Sequence, residues 1–168
     1  FIGALQGNKA RDVAERFDWV HGVDRARIAD LLSRHRPPGR RPLNVCVEVN
    51  VSEEATKGGV KPGEALALAR YVDTLPGLRF RGLMGMASPS GDEAKARAEF
   101  AVLRRELEAI RAAVLADAVA LRSATTATTK IGSGKTRRLA EHVHAIGDGD
   151  AAAAVDVAAR GATRAGEL

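Results

Sequence analysis

Cysteine occurs once in these 168 residues, at Cys46. A single thiol cannot form an internal disulfide, so a reducing compartment, the cytoplasm, is expected. Cys46 sits in mid-strand and reads as a plain buried small residue. Aromatic residues are scarce as well: four Phe, one Trp and one Tyr. None forms a stacking platform among basic residues, and no helix is strongly basic. The net charge of +5 is spread thinly, with +3 in residues 1–120 and +2 in residues 121–168. A solvated surface explains it, and no nucleic-acid partner is expected. No apolar run approaches 18 residues, so no membrane helix is expected. No charged n-region with an apolar core leads to a cleavage site, so export is not expected either.

What is present is a strand–helix alternation. "FIGAL" reads as a buried strand, followed by a helix from about Asn8 to Phe17. Asn8 suits its N-cap, and Ala10, Val13, Ala14 and Phe17 share one helical face. "WVHGV" is a second strand, and a helix from Asp24 to His35 follows, with Asp24 as cap and Ile28, Leu31 and Leu32 inward. Pro37 and Pro38 end that helix. "LNVCVEVNV" alternates without fault: Leu43, Val45, Val47, Val49 and Val51 share one face, and Asn44, Cys46, Glu48 and Asn50 the other. A helix begins near Pro62, buries Ala65, Leu68, Val72 and Leu75, and stops at Pro76-Gly77. "LRFRGLMGM" is the fourth strand. A long helix to about Ala116 follows, with Phe100, Leu103, Leu107, Ile110 and Val114 at spacings of 3 and 4.

Repeated strand–helix units imply right-handed crossovers and a parallel sheet. A central strand of a doubly wound sheet is apolar on both faces, because helices cover both. The third strand instead places Glu48 and Asn50 on one face, as a barrel strand with a polar lumen does. An edge strand of a doubly wound sheet would show the same pattern, so both architectures stay open on the residues alone; the expected fold class is α/β, a partial (β/α)8 barrel of about four parallel βα units over residues 1–116. Residues 117–168 form an Ala/Gly/Thr-rich tail with no firm pattern. A short strand near Val119–Leu121 and an Ala-rich helix near Ala151–Arg160 are its only candidate elements.

Two motifs in the tail are set aside. "KIGSGKT" lacks the first glycine of a P-loop, because position 129 is Thr, and no apolar strand leads into it. His142 and His144 lack further ligands at a metal-site spacing.

Four ordered segments, "FIGALQGNKAR", "VHGVDRARIADLL", "NVCVEVNVSEEATKGGV" and "RFRGLMGM", resemble the pyridoxal phosphate homeostasis protein family. That family binds pyridoxal 5'-phosphate (PLP) in a barrel like the N-terminal domain of alanine racemase. The resemblance implies a cytoplasmic PLP carrier, without established turnover, that buffers cofactor and amino-acid pools. It also implies that the Lys forming the Schiff base lies on a strand upstream of Phe1, so a chain truncated at its N-terminus is expected. The family's later segments, which hold the cofactor phosphate, are not recognised in 117–168, and a frameshifted or divergent C-terminus is expected. Weak or absent PLP binding follows. The alternatives are a PLP-dependent racemase-type enzyme and a partial-barrel interaction module, self-associating through open sheet edges.

Function in such barrels sits at the C-terminal ends of the strands. The candidate cofactor-binding residues there are Asn8 and Lys9 after the first strand, Asn50 and Lys57 after the third, and Met84 ending the fourth. Each has a structural alternative. Lys57 suits an ion pair with Glu48 or Glu53, Met84 suits the core, Asn50 suits a lumen hydrogen-bond network, and Lys9 suits a solvated first turn.

Overall fold

A computed structural model describes residues 1–89 and 91–127 of the chain. The chain divides into two compact units, Phe1–Leu107 and Glu108–Leu168. The first holds a three-stranded parallel sheet of β1 (Trp19–Val23), β2 (Leu43–Glu48) and β3 (Leu78–Met84), in that spatial order. Helices α1 (Ala10–Arg16), α2 (Ala26–His35) and α3 (Ala65–Thr74) alternate with the strands, and α4 (Glu93–Ala127) follows β3. The second unit is described only for the continuation of α4 beyond Leu107.

The alternation in β2 places its side chains as expected. Leu43, Val45, Val47 and Val49 are fully buried. Glu48 points away from that face, its carboxyl lying between Gly22 of β1 and Gly58. A register slip of one residue would drive this carboxylate into the apolar layer. Helix α2 buries Ile28, Ala29 and Leu32, while Leu31 is half-buried. Helix α3 buries Ala65, Leu68, Ala69 and Val72. In α4, Leu103 and Ile110 are buried, and Phe100, Leu107 and Val114 are half-buried. Glu93 and Arg97 pair on its exposed side, with Nε to Oε1 at 3.0 Å.

Several local expectations are corrected. "FIGAL" is not a strand, so the described sheet has three strands rather than four. Gly3 takes φ +98°, which breaks an extended run after two residues. Phe1 bonds to β1: its amino group donates to the Trp19 carbonyl at 2.8 Å, and its carbonyl accepts from His21 N–H at 3.0 Å. Asn8 caps nothing, because a 3-10 turn over Gly7–Lys9 leads into α1 with no side-chain cap. Phe17 leaves the helix in extended backbone and meets Phe1 edge-on, ring centroids 5.9 Å apart. Asp24 is bound to the Arg25 guanidinium at 2.6 Å instead of capping α2. The third helix starts at Ala65, after turns around Pro62. Helix α4 passes Ala116 and runs through 119–121, where a strand was expected. Residues 151–160, and the His142–His144 and "KIGSGKT" segments, lie outside the described residues.

The starts of the three strands converge on one buried side chain. Arg36, just past α2, has only 2% of its side chain exposed. Its NH1 donates to the carbonyls of Ala14 (2.6 Å) and Phe17 (2.7 Å), two residues before β1. Its Nε and NH2 donate to the Arg41 carbonyl, two residues before β2, at 2.9 and 2.7 Å. Gly77, just before β3, is so close that a Cβ there would lie 3.2 Å from the Arg36 Cβ. Asp18 lies 3.6 Å away as the counter-charge. Replacing Arg36 by Met keeps the stem but leaves these carbonyls without donors. We expect that variant to lose about 3 kcal/mol or more of stability, read from urea unfolding, since unsatisfied buried acceptors cost about 1–3 kcal/mol each. Arg36→Lys should recover little, because an ammonium cannot reproduce the planar fork. Near-wild-type stability of the Met variant would show that the contacts are incidental.

Candidate functional site at the C-terminal ends of the strands

Beyond β2 the chain does not leave the sheet at once. Val49 and Val60 form a parallel bridge. Val60 N–H donates to the Glu48 carbonyl at 2.8 Å, and Asn50 N–H to the Val60 carbonyl at 2.9 Å. The segment between them is therefore a closed loop. Gly59 makes the closure possible: it has φ +104°, and a Cβ there would lie 2.6 Å from the Asn50 nitrogen. Only glycine accepts both the backbone angle and the approach.

Inside this loop Asn50 holds its own turn. Its Nδ2 donates to the Glu54 carbonyl at 2.8 Å, and its Oδ1 accepts from the Ser52 hydroxyl at 3.3 Å. Lys57 pairs with Glu54 at 3.1 Å and donates to the Ala87 carbonyl at 3.3 Å. The expected partners, Glu48 and Glu53, are corrected to Glu54. Glu53 is exposed, with φ +53°, while the Glu48 carboxyl lies near Gly22 of β1 and Gly58. Met84 is half-buried, pairs in register with Glu48, and accepts from Val49 N–H at 2.8 Å through its carbonyl. Asn8 and Lys9 are exposed in their turn, and neither side chain makes a hydrogen bond among the described residues. The fold thus gathers Asn50, Lys57 and Met84 at one end of β2 and β3 and leaves Asn8 and Lys9 out of that cluster.

Three residues missed in the sequence complete the cluster. The Ser88 hydroxyl lies 3.0 Å from Glu54 Oε1 and 2.7 Å from Glu99 Oε1, and Ser88 N–H donates to Glu99 Oε2 at 2.7 Å. A chain of contacts therefore runs from Lys57 through Glu54, Ser88 and Glu99 to Lys95, the last at 4.0 Å. It ties the loops after β2 and β3 to the first turns of α4. The hydroxyl owns one proton and faces two carboxylates, so it donates to one at a time. Bonds from Lys57 and then Ser88 hold the Glu54 carboxyl below its usual range. For Glu99, burial pushes upward, but the Ser88 bonds and the nearby lysines outweigh it, and the carboxyl also sits low. A signal for Glu99 exists in the sequence: it lies four residues before the buried Leu103, on the helix's inner face.

The other face of the strands carries a separate polar set. A register break between Phe80 and Gly82 throws Arg81 out of step, and its guanidinium lies 5.4 Å over the Trp19 ring. Burial pushes the Cys46 thiol up to about 11, which removes thiolate reactivity near neutrality. His21 is held below its ordinary value, by burial first and then by the terminal ammonium. Glu48 is 5% exposed, yet no side-chain polar atom among the described residues is both fully buried and without a hydrogen-bond partner. Burial and then Asp24 raise its pKa.

The cluster's carboxyls set a pH test. A lowered carboxyl contributes stability that is present above its unfolded value and is lost as pH falls through the folded one. We expect Glu99→Gln to lower the melting temperature at neutral pH, and the gap to wild type to close below about pH 4. A gap that persists unchanged at acid pH would assign the effect to packing.

Comparison with known proteins fits this geometry. The family described as "Alanine racemase, N-terminal domain" matches residues 1–160, well past residue 116, where the resemblance was expected to stop. The "Pyridoxal phosphate homeostasis protein" of Pseudomonas aeruginosa is 53% identical over 107 residues, covering 64% of this chain and 46% of that one. PipY of Synechococcus elongatus, solved without PLP, aligns with a TM-score of 0.59 and 32% identity over 65% of this chain and 51% of PipY. PipY solved with PLP bound gives 0.56 and 30%, over 65% of this chain and 50% of PipY. The chain spans about half the length of the curated relatives it matches. No helix among the described residues is long and apolar enough to cross a membrane. A parallel α/β sheet of barrel type, four ordered motifs and a match along nearly the whole sequence have one consequence: the chain belongs to the alanine racemase N-terminal domain family, and within it resembles the pyridoxal phosphate homeostasis proteins.

Proposed function

We propose that the chain binds PLP weakly and without a covalent bond at the C-terminal ends of its strands, as a carrier in cofactor and amino-acid homeostasis rather than as an enzyme. The observation that carries this reading is the alignment with PLP-bound PipY, together with the collection of polar groups at that end of the sheet. The finer architecture belongs to the same reading. Three βα units, with Phe1 hydrogen-bonded to β1 ahead of them, form in this reading the wall of a partial (β/α)8 barrel of about four units.

The residues present fit docking better than attachment. Among the described lysines, Lys9, Lys61 and Lys95 are exposed, and Lys57 is engaged with Glu54 and Ala87. None lies on a strand, where low dielectric would lower an amine's pKa and make it nucleophilic. Mixing the protein with PLP should therefore give no saturable, stoichiometric visible band that survives dialysis. Such a band would overturn the non-covalent reading.

Self-association follows from the same architecture. Among the described residues β1 and β3 are the outer strands of the sheet, and a sheet edge is a template for pairing with another chain. Sedimentation velocity should show a concentration-dependent shift above the monomer. A single monomeric boundary across a hundredfold dilution series would remove this part.

A further inference from the structure

The polar chain at the strand ends has an open end and a closed one. The Lys57 and Glu54 side chains are 21% and 41% exposed, so a ligand at the strand ends can reach them. The Glu99 side chain is 10% exposed and lies on the inner side of α4. Ser88 stands between the two ends. Its hydroxyl lies 3.0 Å from Glu54 Oε1 and 2.7 Å from Glu99 Oε1, and Lys57 Nζ lies 3.1 Å from that same Glu54 Oε1. One oxygen of Glu54 is therefore shared by a cation and a hydroxyl.

The hydroxyl has a single proton to donate. While Lys57 compensates Glu54, the shorter contact takes that proton, and the hydroxyl serves Glu99. Drawing Lys57 away leaves the Glu54 carboxylate short of a donor, and the hydroxyl is already in place to turn to it. Glu99 Oε1 then faces the hydroxyl's lone pairs. Glu99 keeps the Ser88 N–H on Oε2 at 2.7 Å, and Lys95 only at 4.0 Å. The Lys57 bond to the Ala87 carbonyl, at 3.3 Å, is lost in the same step, next to Ser88 in the chain.

We infer that Ser88 is a two-position coupling residue: its hydroxyl turns from Glu99 to Glu54 when an anionic ligand engages Lys57, so that α4 responds to the charge of what sits at the strand ends. The ligand half of this inference rests on the proposed reading that PLP docks there. The coupling half rests on the geometry of the cluster alone.

The test follows the Glu99 carboxyl signal of the full chain by carbon-detected NMR titration. Lys57→Met removes the cation and should move the Glu99 midpoint upward, because the carboxylate loses a donor. Lys57 also acts on Glu99 through space, and that part survives in Ser88→Ala. The upward shift should be about twice as large with Ser88 present as in Ser88→Ala, and Ser88→Thr should restore it. Equal shifts in the two backgrounds overturn the inference and leave the docking reading intact. Pyridoxine 5'-phosphate, which has no aldehyde to react with lysines, is then added, with binding measured by calorimetry. It should displace the Glu99 signal in wild type and leave it in place in Ser88→Ala. Binding that leaves the wild-type signal unmoved overturns the inference as well. Absence of binding overturns the docking reading and with it the ligand half, while the variants decide the coupling half.

Discussion

A single guanidinium under the sheet organises the rest of the structure. Arg36 reaches backbone carbonyls that immediately precede β1 and β2, and it packs against the glycine that precedes β3. Parallel strands joined by helices have no tight hairpin to fix their mutual offset. Something else must align their starts. Five N–H groups in a rigid plane can bind several carbonyls at once, and a buried position removes the competition from water. The Ser33 hydroxyl adds a bond to the Pro76 carbonyl at 2.6 Å, and the Leu43 N–H one to the Gly77 carbonyl at 2.9 Å. The charge stays tolerable because Asp18 supplies a counter-ion at the surface.

With the starts of the strands pinned, the opposite ends are free to carry polar groups. There the chain uses side chains to join loops. Lys57, Glu54, Ser88 and Glu99 connect two loops and a helix, and Asn50 holds the turn that presents Lys57. The division of labour matches the barrel rule that stability resides at one end of the strands and chemistry at the other. Glu48 stands apart, a low-exposure carboxyl held above its ordinary pKa by burial and then by Asp24. The barrel-like α/β fold and the alignment with PLP-bound PipY give that end of the molecule its functional interest.

The places where local reading failed share a cause. Asn8 and Asp24 are good cap residues, but caps depend on where the chain enters the helix. A 3-10 turn displaces the first start, and the Arg25 guanidinium captures Asp24 at the second. "FIGAL" has strand composition, yet Gly3 turns the backbone after Phe1 and leaves Ile2 66% exposed. Lys57 had three acidic residues within reach along the chain. Loop closure through Val60 and Gly59 selected Glu54 and turned Glu48 toward Gly22 and Gly58. Each local preference was real; neighbouring backbone and side chains overrode the caps and the strand, and loop closure overrode the Lys57 pairing.

The sequence alone determined the faces and the family. Period-two alternation fixed which side of β2 is apolar, and period-3.6 spacing fixed the inner stripes of the helices, because both follow from backbone geometry. Four ordered motifs carried the kinship. Tertiary structure decided which polar groups meet. Ser88 and Glu54 are 34 residues apart, Arg36 and Ala14 are 22 apart, and Gly3 and Gly22 approach from different elements. Periodicity states a direction for each side chain but no partner, and the partners follow only when the strands are in register and the loops are closed.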